Sequence, residues 1–181
     1  SFGSYVFEDC DNLKKVTMLP IVAPTLGNGV FDDANIAVNV YKECVDAYKA
    51  TWSDYASLIV GSGNVSGTTT IKYTTTDGQI LTIDSLPVKS NTYSGVGEMV
   101  VYGVLTRVNE WLFSLNDQLK SITLPESITS IEYAAFTYSA ALEEVTLGSG
   151  VTYIGNSAFE GCESLVSLYC KAATPPALGN S

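Results

Sequence analysis

A chain of 181 residues with 19 acidic side chains against 9 basic ones, a formal net charge of −10 and no histidine is cut off from several classes of function. Nucleic-acid phosphates and anionic membranes both call for clustered Lys and Arg, and here the basic residues are scattered. Without histidine, Ser-His-Asp and Cys-His catalysis fall away, and no apolar run reaches the length of a membrane span.

In chain order, residues 2 to 29 repeat the chain's own C-terminus at an offset of 152. Phe2-Gly-Ser-Tyr-Val-Phe7-Glu-Asp-Cys10-Asp-Asn-Leu13 stands against Ile154-Gly-Asn-Ser-Ala-Phe159-Glu-Gly-Cys162-Glu-Ser-Leu165, and Ala23-Pro-Thr-Leu-Gly-Asn28 against Pro175-Pro-Ala-Leu-Gly-Asn180. The first segment therefore reads as the last coil of a repeat array. Its proline-containing end is a poor strand interior and is expected to lead the chain away from the coil. From Val40 to Ile59, the residues Val45, Tyr48, Trp52, Tyr55 and Ile59 recur at alternating spacings of three and four, one apolar face of a helix. Thr51 or Ser53 is expected to divide it, with Ser53 as an N-cap. The segment is expected to cap the exposed end of the coil stack. A sugar-stacking platform of Tyr48, Trp52 and Tyr55 is the alternative, disfavoured because these rings share a face with Val45 and Ile59.

Residues 60–67, VGSGNVSG, read as a flexible linker, and Asn64-Val-Ser66 fits a glycosylation pattern. Residues 68–83 predict a β-hairpin, TTTIKYTT and QILTID joined at Asp77-Gly78. A loop follows from Ser85 to Gly97. Met99 and Val101 stand 23 residues before Ile122 and Leu124, so 98–102 is expected to be the first strand of a second array. From 105 to 170 that period of 23 organises the chain. Val108, Ile131 and Ile154 share one slot, and Phe113, Phe136 and Phe159 the next. Leu119, Leu142 and Leu165 follow, then Ile122, Val145 and Leu168, then Leu124, Leu147 and Cys170. Apolar slots at a fixed interval of this size are the signature of a solenoid, because one coil cannot bury its own stripe and a stacked neighbour can.

Ile154-Gly-Asn-Ser-Ala-Phe159-Glu-Gly-Cys162-Glu-Ser-Leu165-Val-Ser-Leu168 resembles the repeat of the BspA-like leucine-rich repeat family, which runs roughly as I-G-x-x-A-F-x-G-C-x-x-L-x-x-I-x-L-P. Asn109 and Glu132 stand where that family favours Gly, and Asn116 and Ser139 where it favours Cys. Taken with the helical face and the hairpin pattern, the repeats predict an α/β leucine-rich-repeat solenoid, β-rich, with one short strand per 23-residue coil, a helical cap and a β-hairpin. The resemblance implies a secreted or surface-exposed bacterial protein engaged in adhesion or host interaction. The expected domains are a last coil with its cap over 1–59, a linker over 60–67, and a hairpin with its solenoid over 68–181, with strands near 99–101, 122–124, 145–147 and 168–170. The chain opens inside the pattern, so an export signal is expected upstream.

Cys10, Cys44, Cys162 and Cys170 form no metal-like cluster, and buried free thiols are the favoured reading. No Gly-rich phosphate loop is present, no cofactor is implied, and the acidic residues (Glu8, Asp9, Asp11; Asp32, Asp33; Glu143, Glu144) read as a solvated surface. The candidate ligand-binding surface is the outward strand face, Ser121, Glu144 and Ser167 in one ladder and Thr123, Thr146 and Tyr169 in the next. Lys15 and Thr17 are their counterparts in the first coil. The expected function is non-catalytic recognition or adhesion with a protein or glycan partner. A structural spacer is the rival, and a carbohydrate-active enzyme a weaker one. Open ends of the array are further expected to favour self-association between copies.

Overall fold

Parallel stacking of short strands governs both halves of the chain. The computed structural model describes residues 2–7, 10, 13–18, 22–32, 36–61, 63 and 66–179. It divides into two units, Ser1–Ser66 with Asp84–Pro87, and Gly67–Ile83 with Val88–Ser181. Among the described residues no helix is long and apolar enough to cross a membrane.

In the first unit, strands β1 (Lys15–Thr17), β2 (Ala37–Val40) and β3 (Ile59–Gly61) form a parallel sheet in that order. Lys15 pairs with Ala37, and Val38 with Ile59. The first coil is thus followed by two further strands rather than being the last. Helix α1 (Val45–Thr51) and a 3-10 helix (Ser53–Leu58) make the crossover between β2 and β3 that parallel strands require. Val60 and Gly61, read as the start of a linker, belong to β3; Asn64 and Val65 of the glycosylation pattern lie outside the described residues. The helical break falls at Trp52 (φ −113°, ψ 55°), which takes the N-cap position expected of Ser53, without a side-chain capping bond. Tyr48, Trp52 and Ile59 are buried with Val30, Phe31, Val38 and Val40 in a core of this unit's own, and Val45 and Tyr55 pack against it.

The offset of 152 recurs in the backbone pairing. Leu26 bridges Phe2 in parallel, and the Gly27 N–H donates to the Phe2 carbonyl at 2.8 Å. Leu178 pairs with Ile154 in the same way, and the Gly179 N–H donates to the Ile154 carbonyl at 2.8 Å. A Cβ at Gly27 would collide with the backbone of Gly3 and Ser4, and one at Gly179 with Asn156. The segment after the prolines therefore starts a new turn instead of leaving the stack.

The second unit comprises β4 (Thr68–Thr75), β5 (Val88–Tyr93), β6 (Gly97–Tyr102), β7 (Arg107–Val108), β8 (Leu119–Thr123), β9 (Ser130–Ile131), β10 (Glu144–Leu147), β11 (Tyr153–Ile154), β12 (Ser167–Cys170) and β13 (Ala177–Leu178). Each coil gives one strand to a six-stranded sheet, β12-β10-β8-β4-β6-β5, and one to a four-stranded sheet, β13-β11-β9-β7. Glu144 pairs with both Ser121 and Ser167, so the period of 23 is the register itself. The phenylalanines form a column, Phe113 on Phe136 and Phe136 on Phe159, with centroids 5.1 Å apart and planes within 10°. Phe113 and Phe136 are buried and Phe159 half-buried. Ser139 does at its slot what the cysteine does one coil later: its Oγ donates to the Phe113 carbonyl at 2.5 Å, as Cys162 Sγ does to Phe136 at 3.0 Å.

The hairpin is present but built from other segments than 68–83. The turn at Asp77-Gly78 forms, with the Gln79 N–H donating to Asp77 Oδ1 at 3.0 Å and Gly78 at φ 69°. QILTID then runs off without pairing as a strand, while Tyr73 Oη donates to Asn91 Oδ1 at 2.6 Å and receives the Leu81 N–H at 3.2 Å. The hairpin is β5–β6, in what was expected to be partly loop, and β4 is inserted antiparallel between β6 and β8. Met99 and Val101 therefore do not stack directly on the coil of Ile122. Ile71 and Tyr73, buried on β4, fill the inward positions between them. The Tyr73 ring lies so close over Gly97 that no side chain fits there.

Candidate functional site

The six residues expected on the outward strand face lie together. Tyr169 pairs with Thr146 and Thr146 with Thr123; Ser167 pairs with Glu144 and Glu144 with Ser121. Thr123, Glu144 and Tyr169 are exposed, and Ser121, Thr146 and Ser167 half-buried. Their neighbours on each strand, Ile122, Val145 and Leu147, are buried. That alternation follows from side chains pointing to opposite faces along a strand. Lys15 and Thr17 are exposed on β1, in the sheet of the first unit.

Insertion of β4 carries this surface further than three coils. Thr123 pairs with Lys72, Lys72 with Glu98 and Glu98 with Thr92, so one row reads Tyr169, Thr146, Thr123, Lys72, Glu98, Thr92. Ser121 pairs with Thr74, and their hydroxyls are 2.7 Å apart. At the usual strand separation the row spans about 24 Å. Lys72 and Glu98 form an ion pair at 3.3 Å on its exposed side, worth little to stability but fixing a charge pair in a field of hydroxyls. Sequence reasoning missed Lys72, Thr74, Glu98 and Thr92 because they join the face through pairing between segments distant in the chain. The alternation of TTTIKYTT was the available signal.

Other carboxylates have local partners. Glu143 lies 3.6 Å from Lys120, and Glu132 lies 3.9 Å from Arg107 and accepts from Ser130 Oγ at 2.7 Å. Hydrogen bonds from the Ser149 hydroxyl and N–H hold the Glu126 carboxyl below its ordinary range. Of the acidic residues read as a solvated surface, Asp32, Glu143 and Glu144 are exposed, and Glu8, Asp9, Asp11 and Asp33 lie outside the described residues.

The alternative platform of Tyr48, Trp52 and Tyr55 is core. Tyr48 and Trp52 are buried edge to face at 5.0 Å, and Trp52 Nε1 donates to the Pro24 carbonyl at 2.8 Å. Tyr55 Oη donates to Asp32 Oδ1 at 2.7 Å, which raises its pKa. The four cysteines are free thiols, but only Cys44 is buried; Cys162 is half-buried, and Cys10 and Cys170 are exposed. Burial pushes the Cys44 thiol up to about 11, with Glu43 adding to the effect.

Comparison with protein families finds six copies of the BspA type leucine rich repeat region, matched over residues 1–58 and 90–174. No curated protein and no solved structure matches the chain.

Proposed function

The chain belongs to the BspA-type leucine-rich repeat family, and from that premise we propose that it is a non-catalytic recognition module of an exported bacterial surface protein, engaging a protein or glycan through the outward face of its six-stranded sheet. The observation that supports this reading is the continuous row of hydroxyls from Tyr169 to Thr92, interrupted only by the Lys72–Glu98 pair. Short hydroxylated side chains leave a flat sheet accessible, and an aromatic at its edge supplies the kind of anchor that dominates binding energy.

The test is a screen of extracellular-matrix proteins and a glycan array with the wild-type chain and a Tyr169→Ala, Glu144→Ala double variant. Specific binding that falls roughly tenfold or more in the double variant is expected. Binding untouched by the double change would place the site elsewhere. No binding to any probe would favour a structural spacer, and turnover of a glycan would favour a carbohydrate-active enzyme.

A further inference from the structure

We infer that the coil turns carry a second binding site, for a neutral glycan, formed by Trp111, Leu115, Tyr133 and Tyr138. Each coil adopts left-handed backbone at two positions between its two strands. These are 111, 134 and 157, with φ of 61°, 51° and 53°, and 115, 138 and 161, with φ of 54°, 54° and 70°. Gly161 meets this demand without steric cost, and Ala134 and Ser157 meet it with small side chains. Trp111, Leu115 and Tyr138 place bulky side chains on the same strained backbone. Burial does not repay them, since they are 48%, 74% and 56% exposed, and Tyr133, which meets Trp111, is 45% exposed. Strain of this kind persists only where the surrounding structure over-determines it, and it clusters at binding and catalytic sites.

The rings are held in place. Trp111 and Tyr133 meet edge to face at 5.3 Å and 81°. Tyr138 lies against Gly161, so close that a Cβ there would enter the ring. Backbone bonds between successive turns fix the mounts: the Leu115 N–H donates to the Thr137 carbonyl at 2.9 Å, and the Tyr138 N–H to the Glu160 carbonyl at 2.7 Å.

Size and charge select the ligand. Four half-exposed large side chains offer roughly 400 Å², short of the roughly 800 Å² per partner that a stable protein complex buries. An extended ligand that stacks small apolar faces on single rings fits better, and the C–H face of a sugar ring does this while its hydroxyls seek acceptors. Glu110, Glu132 and Glu160 belong to these same turns, with Arg107 held 3.9 Å from Glu132. Their charge attracts hydroxyl donors and repels sulfated or sialylated sugars and anionic headgroups. This site is independent of the sheet face.

The test uses the full chain in native affinity electrophoresis against laminarin, soluble mannan and dextran sulfate, with acrylamide quenching of tryptophan fluorescence. Trp52 is buried and Trp111 exposed, so quenching reports on Trp111. A neutral polysaccharide is expected to retard the chain and shield Trp111, and dextran sulfate to do neither. Trp111→Ala or Tyr138→Ala should weaken binding roughly tenfold, while Lys49→Ala, on the exposed side of α1, leaves it unchanged. Leu115→Gly should weaken binding with an equal or higher Tm, a combination that a purely structural role would not produce. Failure of both neutral polysaccharides to retard the chain, or unchanged retardation of Trp111→Ala, overturns the proposal.

Discussion

Phe136 lies between the rings of Phe113 and Phe159 at 5.1 Å on either side and is wholly buried. Phe136→Ala should therefore remove contacts to two coils at once and cost about 3–5 kcal/mol. A thermal melt indistinguishable from wild type would show that the column carries no weight. The turn residues have the opposite character. Left-handed backbone at Trp111, Leu115 and Tyr138 costs on the order of 1–2 kcal/mol per residue, and these side chains recover little of it by burial. The repeating phenylalanine was visible as a spacing in the chain. The strain was not, since no residue-type rule marks a tryptophan or leucine as left-handed; only alignment with Gly161 hints at it.

Strand β4 is the element on which the second unit's architecture turns. Its eight residues pair on both sides, with β6 through Lys72–Glu98 and with β8 through Lys72–Thr123. The alternation in TTTIKYTT made a strand legible, and Asp77-Gly78 made a turn legible. Neither states a partner. QILTID lost the competition because β6 and β8 both present buried apolar side chains at the height of Ile71 and Tyr73, a tertiary gain that a lone hairpin cannot match. Lys72→Pro should break the ladder at the centre of the sheet, at roughly 1–3 kcal/mol for each buried partner left unpaired. Hydrogen exchange should then show β5 and β6 losing protection before β10. Equal protection in the variant and wild type would mean that β4 does not couple the two sides.

In the second unit, β12 and β13 are edge strands among the described residues. Leu168 and Cys170 are exposed where Val145 and Leu147, in the same slots one coil earlier, are buried. An edge strand with unpaired N–H and C=O groups and apolar side chains is a template for another chain. The proposal that copies self-associate there predicts a mass that rises with concentration in light scattering and falls back in Leu168→Lys. A constant monomer mass across the series would contradict it.

The chain's own pattern determined the coil. A period of 23 in five slots requires stacking, because an isolated coil leaves its stripe in water, and the offset of 152 carried the same bridge and the same crowded glycine into both units. Such features repeat locally, so they can be counted without knowing what lies opposite. Pairing cannot be counted in this way. That Ala37–Val40 and Ile59–Gly61 extend the first stack, that β4 enters between β6 and β8, and that Lys72 and Glu98 continue the row from Tyr169 were decided by tertiary structure. A strand's alternation specifies which side chains face inward, whereas its neighbour is chosen by which available edge buries them best.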